Sequence, residues 1–173
     1  MVVSLPSEIE AVRVGSVEVD GTDATERIEQ LIRETGHVAD LRAVLLDGPV
    51  VGGFNVVDLD RLHRELGRPV ICVTRREPDR KRIRSALAKW FPRDWRARWR
   101  TLSRHRLFAV PTGATPIRAS VVGATRRDAL ALIARAARRG YWPEPLRLAH
   151  LVASARSRGP APARAKHYGK PPR

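Results

Sequence analysis

Two aspartates follow apolar segments of this chain and could bind a divalent metal ion. The apolar run 43–46 leads directly into Asp47, and Asp20 closes an alternating segment at 12–19. Both carboxylates would lie at the edge of a sheet where α/β proteins bind ligands. Mg²⁺ (or Mn²⁺) prefers one or two carboxylates with water and phosphate oxygens, and such a metal can promote phosphodiester hydrolysis. Asp47 and Asp20 are therefore candidate catalytic residues and metal ligands, although aspartate at a strand end is also a common turn residue.

The second chemical feature is a basic segment at 75–106, which has 13 Lys/Arg and 3 Asp/Glu. Such side chains neutralise phosphates, so we expect salt-dependent binding of DNA or RNA. Arg75 and Arg76 are the first choice because they follow the apolar run 70–73 and would share a sheet edge with Asp47. The further candidates for phosphate contact are Arg80, Lys81, Arg96 and Arg100.

Four aromatic residues interleave with these basic residues: Trp90, Phe91, Trp95 and Trp99. Exposed aromatic rings stack on unpaired or flipped bases. Trp95 and Trp99 lie four apart, which puts them on one helical face and favours docking of that helix on the core. Both interpretations stay open on the sequence.

Net charge is divided along the chain. Residues 1–74 carry 7 Lys/Arg and 13 Asp/Glu, whereas residues 75–173 carry 26 Lys/Arg and 5 Asp/Glu, so the total of +15 arises entirely in the second part. This asymmetry predicts a polyanionic partner held by one part while carboxylates gather in the other. An arginine-rich genome or a surface adapted to heat would also produce an excess of arginine.

The order of predicted elements indicates one α/β domain with a largely parallel sheet. A chain of 173 residues fits a single core. Asp23 and Glu26 have the spacing of a capping box at the first helix. We expect the domain at 1–156 and a disordered basic tail at 157–173. The predicted strands are 12–19, 43–46, 69–73, 107–110 and 117–121, and the predicted helices are 23–36, 57–66, 78–90, 94–104, 125–138 and 143–155.

Several classes of protein are disfavoured by the motifs that are missing. No His/Cys spacing matches a zinc site, and neither a P-loop nor Gly-x-Ser-x-Gly occurs. The single cysteine, Cys72, lies in an apolar run and is expected to be a buried packing residue. No apolar run approaches the ~20 residues that cross a membrane, so we expect a soluble cytoplasmic protein without a membrane partner. The oligomeric state is unknown from the sequence.

Four blocks of the sequence resemble, in order, blocks of the archaeal endonuclease dU family, which is related to endonuclease V. The blocks are 19–25, 45–58, 69–76 and 143–150. The resemblance implies an RNase H-like (endonuclease V-like) α/β fold with a mixed sheet flanked by helices. It also implies metal-dependent cleavage, with Mg²⁺ or Mn²⁺, of nucleic acid that contains deaminated bases such as deoxyuridine or deoxyinosine, and a role in DNA repair.

The same resemblance assigns roles to individual residues. Asp47 matches the metal-binding aspartate of endonuclease V, and Asp20 matches the acidic residue that precedes its first helix. His150 matches a position on the last helix that is usually Asp or His. The resemblance adds Gly48, Gly53, Asn55 and His150 to the candidate nucleic-acid-binding residues.

The sequence departs from the family pattern at two places. The family's first strand, which ends in Asp-Asp-Gly and supplies a further metal ligand, has no counterpart before Val12. Ala124 stands where endonuclease V has a histidine after Val-Gly. We therefore expect an N-terminally truncated fold with an open sheet and a metal site one ligand short. The candidate functions are a metal-dependent endonuclease, a catalytically impaired nucleic-acid-binding protein of the same fold, and a structural module with a generic basic surface.

Overall fold

A computed structural model describes residues 1–5, 7–112, 116–138 and 141–158. The first half contains strands β1 (Val2–Ser4) and β2 (Glu8–Ala11), helix α1 (Ala24–Arg33), strands β3 (Val44–Asp47), β4 (Val50–Val51) and β5 (Asn55–Val56), helix α2 (Leu59–Leu66) and strand β6 (Val70–Thr74). The second half contains helices α3 (Arg80–Trp90) and α4 (Trp95–Ser103), strands β7 (Phe108–Val110) and β8 (Ile117–Val122), and helices α5 (Arg126–Ala136) and α6 (Glu144–Arg158).

The main sheet is mixed, with strand order β3-β6-β8-β7. β3 and β6 are parallel, and β8 is antiparallel to both β6 and β7. The mixed α/β architecture is confirmed, whereas the expectation of a largely parallel sheet is wrong. The α2 crossover returns the chain to the start of a parallel strand, as such pairs require. The longer connection through α3, α4 and β7 leads to β8, which runs antiparallel to β6.

Strand β6 is the centre of the core. Its residues 70–73 are all buried, and successive side chains point to opposite faces of the sheet. Ile71 and Val73 pack with the cluster under α5 and α6, whereas Val70 and Cys72 pack with the cluster under α1 and α2. The expected packing role of Cys72 is confirmed. Burial, together with the charge of Asp47, raises the pKa of its thiol to about 12.

Strand β3 lies at an edge of the sheet, although its apolar sequence predicts a central strand buried on both faces. Val44 is buried, but Leu45 and Leu46 are only partly buried. Among the described residues, no strand pairs with the outer edge of β3. A cavity of about 1110 Å³ lies alongside, bounded by α1, α5, α6 and the β1–β2 hairpin.

The segment 12–19 is irregular, so the prediction of a strand there is wrong. In the described ranges, no strand lies beside its alternating valines to supply ladder hydrogen bonds, and Val19 is 75% exposed. Other groups hold its end instead: the Glu18 N–H donates to the Asp23 carboxylate, and the Glu18 carbonyl accepts from Asn55. The residues before it form the antiparallel β1–β2 hairpin.

The predicted helices are all present, with ends that shift by a few residues. Asp58 caps α2 by accepting from the Arg61 N–H, and Gly67 ends that helix in the left-handed conformation (φ 63°). Asp79 caps α3 in the same way. Helix α6 continues to Arg158, and the rest of the predicted tail lies outside the described residues. None of the helices in the described ranges is long and apolar enough to span a membrane.

Candidate functional site

The carboxyl ends of two neighbouring parallel strands bring Asp47 and the Arg75-Arg76 pair to one end of the sheet. Asp47 is the last residue of β3 and lies opposite Val73 of β6. The next N–H, of Gly48, donates to the Val73 carbonyl at 3.0 Å and so extends the ladder by one residue. Arg75 and Arg76 follow β6 directly and are both exposed. A carboxylate and two guanidinium groups therefore share this end, which we call the Asp47 end.

The Asp47 carboxylate is exposed. In the described part of the chain, no group donates a hydrogen bond to it and no basic side chain forms an ion pair with it. An exposed carboxylate without a protein partner keeps its lone pairs for a cation or for water. Asp47 therefore has the chemistry expected of a metal ligand.

Asp20 is held differently. It sits in a turn in the left-handed region, at φ 58°. Its Oδ1 accepts from the Phe54 N–H at 2.7 Å, and its own N–H donates to the Gly52 carbonyl at 2.7 Å. A Cβ on Gly53 (φ +85°) would lie 2.2 Å from that Oδ1. Asp20 thus locks the glycine turn 48–53, and the structure does not place it at the end of a strand.

Mg²⁺ requires oxygen ligands in a near-octahedral arrangement, several of which are usually waters. The described residues contain no group of three or more His, Cys, Asp or Glu side chains that could hold a metal. His150 is exposed on α6, with its Nε2 3.4 Å from the Ser154 hydroxyl. One free carboxylate suits a Mg²⁺ ion whose shell is completed by water and substrate phosphate oxygens. It does not suit a metal site closed by protein ligands alone.

Asn55 is fully buried, and its amide is committed to the protein. Its Oδ1 accepts from the Ala24 N–H at 3.0 Å, which caps α1, and its Nδ2 donates to the Glu18 carbonyl and to Asp23 Oδ1. This corrects the expectation that Asn55 contacts nucleic acid. It also corrects the predicted capping box, because Asp23 makes no side-chain cap hydrogen bond to α1. The bond from Asn55 is the largest of the interactions that lower the pKa of the Asp23 carboxyl.

Arg98 is a positioning residue that the sequence analysis did not single out. Its side chain is only 10% exposed. Its Nη1 donates to the carbonyls of Gly21 (2.9 Å) and Phe54 (2.7 Å). Its Nε donates to Asp94 at 2.7 Å, one turn earlier on α4. Arg98 therefore joins α4 to both turns of the site, and the i,i+4 spacing of Asp94 and Arg98 was the signal that could have revealed it.

A small apolar pocket of about 170 Å³ opens beside the glycine turn. Pro49, Val50 and Phe54 line it from the turn, and Trp99 and His105 line it from the basic segment. This pocket is not predictable from local sequence patterns, because its walls come from segments about 50 residues apart.

An ion-pair cluster lies at the edge of this pocket. The Asp60 carboxylate accepts from Arg104 at 2.6 Å and lies 3.1 Å from His105 Nε2. Burial works to raise the pKa of Asp60, but the hydrogen bond from Arg104 and the charges of His105 and Arg104 outweigh it and lower that pKa. The same hydrogen bond raises the pKa of Arg104.

Three of the candidate basic residues lie over aromatic rings. Arg75 lies 3.9 Å from the ring centroid of Trp142, Arg80 lies 5.4 Å from Trp99, and Arg96 lies 4.8 Å from Trp95. Trp95 and Trp99 are half-buried, which agrees with docking of α4 on the core. The remaining basic candidates, which are exposed, are Arg76, Lys81 and Arg100.

Replacing Gly53 with alanine should destabilise the protein more than replacing Gly48. Both glycines have positive φ, so each alanine adds about 1–2 kcal/mol of backbone strain. A Cβ at Gly48 meets nothing within 4 Å, whereas one at Gly53 displaces Asp20 and breaks its bond to Phe54, at a further cost of about 1 kcal/mol. Urea denaturation measures both losses, and equal losses would contradict the role assigned to Asp20.

The Asp60 cluster predicts a pH dependence of stability. In the folded protein the pKa of the Asp60 carboxyl is lowered from the value of ~3.9 that it has in unfolded chains. The stabilisation from its ion pairs is therefore complete above pH ~3.9 and is lost as the pH falls through the pKa of the folded state. Asp60→Asn should cost about 1 kcal/mol at pH 7, and the difference from wild type should shrink below pH ~4. Urea midpoints from pH 7 to pH 3 test this.

Asp40→Asn is the matched control for that series, because the Asp40 carboxylate is 79% exposed and its 3.8 Å contact with His37 is a surface pair, which contributes little to stability. We expect it to change the urea midpoint little at any pH. A deficit in Asp60→Asn that persists undiminished at pH 3 would show that packing, and not the ion pairs, accounts for the loss.

Comparison with known proteins places this chain in a family. The family model described as Endonuclease dU matches residues 1–157. A UPF0215 protein of Methanothermobacter thermautotrophicus is 40% identical over 146 residues, which are 84% of this chain and 71% of that protein. A UPF0215 protein of Thermococcus gammatolerans is 42% identical over 140 residues, 80% of this chain and 70% of that protein.

A similar solved structure is the crystal structure of a protein of unknown function from Archaeoglobus fulgidus. It is 31% identical, has a TM-score of 0.74, and aligns over 80% of this chain and 78% of its own. The likeness supports the mixed α/β architecture with flanking helices. On the match across 157 residues and the identity to these relatives, the chain belongs to the Endonuclease dU family.

Proposed function

We propose that this protein is a Mg²⁺-dependent endonuclease with an RNase H-like arrangement of its sheet. Its proposed substrate is nucleic acid that contains a deaminated base, deoxyuridine or deoxyinosine, and its proposed role is DNA repair. The observation that carries the proposal is the Asp47 carboxylate, which has no ion-pair partner among the residues that the structure describes and shares one end of the sheet with Arg75 and Arg76. The family name supports a nuclease-like activity on nucleic acid.

Asp47 is the residue proposed to hold the metal. When bound, Mg²⁺ supplies a nucleophilic hydroxide and neutralises charge that develops on the scissile phosphate. Arg75 and Arg76 are proposed to bind the phosphates on either side. Trp142 lies under the Arg75 guanidinium at 3.9 Å, so this side chain loses less freedom when it binds a phosphate.

The surrounding hydrogen bonds keep Asp47 and the glycine turn in place. Asp20 binds the turn at Phe54, Arg98 binds the Phe54 carbonyl, and Asn55 ties the following strand to α1. Arg98 and Asn55 are largely buried and committed to the protein, so they support geometry. Asp20 is exposed and bonds the turn through Oδ1, so it stays a proposed metal ligand through its other carboxylate oxygen. A rigid turn is what a reaction that depends on positioning requires.

The 170 Å³ pocket beside the turn is the proposed site for the base. An engineered cavity of about 150 Å³ holds benzene, so this pocket has room for at least one aromatic ring. Its walls are mainly apolar, and Thr74, His105 and Ser120 add polar groups. Enzymes that act on a base within a strand take it out of the stack into such pockets.

A second candidate function is a catalytically impaired nucleic-acid-binding protein of the same fold. It is favoured by one observation: the described residues do not assemble three metal-ligating side chains. In that case the basic surface would bind nucleic acid while Asp47 would contribute nothing to cleavage.

Cleavage assays with Asp47→Asn separate these two functions. We expect wild type to cut oligonucleotides containing uracil or hypoxanthine in Mg²⁺, and Asp47→Asn to lose at least about 100-fold in rate, because a catalytic metal supplies several kcal/mol. Asp40→Asn is the matched control, since Asp40 precedes β3 and so lies at the opposite end of that strand. Unmodified oligonucleotides of the same sequence report the dependence on the lesion.

The outcomes are distinct. Equal rates for wild type and Asp47→Asn would remove Asp47 from the mechanism. Binding without cleavage by wild type would support the impaired protein, and cleavage that ignores the lesion would contradict the substrate class while leaving the nuclease activity in place.

Binding should also depend on salt through Arg75 and Arg76. Because each phosphate contact contributes about 0.9 to the slope of log K against log [salt] on duplex DNA, the double variant Arg75→Ala/Arg76→Ala should reduce that slope by about 2. The matched control is Arg126→Ala/Arg127→Ala, an adjacent pair at the start of α5 and at the other end of the sheet. Equal slopes in the two double variants would contradict the phosphate role of the Asp47 end.

A further inference from the structure

Trp90 is the most exposed of the four tryptophans. Its exposure is 66%, whereas Trp142 is 8% exposed and Trp95 and Trp99 are half-buried under arginines. Docking therefore explains three of the four rings and leaves Trp90 without a structural role. Tryptophan is enriched at interfaces because its large ring combines apolar surface with a polar N–H, so this exposed ring is available to a partner.

The position of Trp90 connects it to the proposed site. It is the last residue of α3, one turn beyond Leu87, which is fully buried and anchors the helix. The next residue, Phe91, packs edge-on against Phe54 of the turn that follows Asp47, with ring centroids 5.7 Å apart. Trp90 is thus adjacent in sequence to the ring that packs on Phe54, and Phe54 is part of the wall of the 170 Å³ pocket.

The charge around Trp90 matches a polyanion. Residues 80–100 carry nine Lys/Arg and one acidic residue, Asp94, which is itself bonded to Arg98. The Lys89 ammonium lies 4.7 Å from the Trp90 ring centroid, within the range of a cation–π contact. One face of the indole is therefore next to a cation, while the side chain as a whole stays open to solvent.

We infer that Trp90 is a stacking platform for an unpaired base and that this surface binds a single-stranded or locally unpaired nucleic acid. Aromatic rings set in a basic groove bind such strands by stacking on successive bases, whereas bases inside a duplex offer no free face. The ammonium of Lys89 would contact the neighbouring phosphate. The inference deepens the proposed function, on which it rests for the identity of the partner as nucleic acid.

The test compares binding of one oligonucleotide as a single strand and as a perfect duplex at fixed salt. Trp90→Ala should weaken single-strand binding about 5- to 150-fold, the range seen when one stacked base is lost, and should change duplex binding less than about twofold. Trp90→Phe should retain most of the single-strand affinity because it keeps a ring. Leu151→Ala is the matched control, a change of a 51%-exposed apolar residue on α6. Equal melting temperatures of the variants show that the fold is intact.

A spectroscopic signal tests stacking directly. Stacking quenches indole fluorescence, so the single strand should quench wild type, and Trp90→Phe should lose most of that quenching because the other three rings are buried or covered. Unchanged quenching and unchanged affinity in the Trp90 variants would overturn the inference. A change of oligomeric state in Trp90→Ala, without an effect on oligonucleotide binding, would overturn it in favour of a protein partner.

These results can be told apart from failure of the proposed nuclease activity. Trp90-dependent binding of single strands without any cleavage would support the stacking role of Trp90 and reject the endonuclease activity. Lesion-dependent cleavage that is insensitive to Trp90 substitution would support the endonuclease activity and reject the stacking role of Trp90. Absence of binding to any nucleic acid would reject both.

Discussion

The buried side chain of Asn55 is the contact on which the site depends. Its two amide hydrogens and its carbonyl oxygen bond to three separate parts of one segment, the Glu18 carbonyl, the Asp23 carboxylate and the Ala24 N–H. A buried amide with unmet hydrogen bonds is costly, so these partners are strongly specified. The segment before α1, which has no strand partner in the described residues, thereby acquires a fixed position beside the glycine turn.

Arg98 and Asp20 add to the same arrangement from two sides. Arg98 reaches the turn carbonyls from α4, and Asp20 accepts a turn N–H across a gap that only glycine at position 53 leaves open. The contacts bring together residues from 18–25, 52–55 and 94–98. The basic helices α3 and α4 and strand β3 are therefore held together. This explains how Arg75 and Arg76 could act together with the Asp47 carboxylate, which lies more than 25 residues earlier in the chain.

Local patterns predicted the elements well where the signal was strong. The buried strand at 69–73 and the helices at 57–66 and 78–90 all appear within about two residues of the expected positions. The parallel register of Val73 and Asp47 follows from the α2 crossover, and it is why Arg75 and Asp47 could be expected at one end of the sheet. Sequence was sufficient for the strand and the helices because each depends on neighbours within a few residues, and for the pairing of β3 with β6 because only one helix connects them.

Long-range geometry was not predictable in the same way. The valines of 12–19 alternate as in a strand. A strand also needs a neighbouring strand to pair with, and the sequence of the segment alone does not show whether one is available. The Asp23-x-x-Glu26 spacing suggested a local cap, yet the cap comes from Asn55, 31 residues away. The apolar β3 run suggested a central strand, and it lies at an edge with a large cavity beside it. Asp20, Asn55 and Asp47 are all short polar residues within two positions of a glycine. Only their hydrogen bonds distinguish Asp20 and Asn55, which position the site, from Asp47, which has no protein partner in the described part of the chain.

The burial of Cys72 has a practical consequence for studying this protein in solution. Thiol reagents attack the thiolate, and the raised pKa of this buried thiol leaves almost none of it at neutral pH. Since the chain has a single cysteine, a second cysteine introduced on the surface would be modified selectively by a maleimide dye or spin label. Fluorescent and paramagnetic probes can therefore be attached at chosen sites while the native core residue is kept.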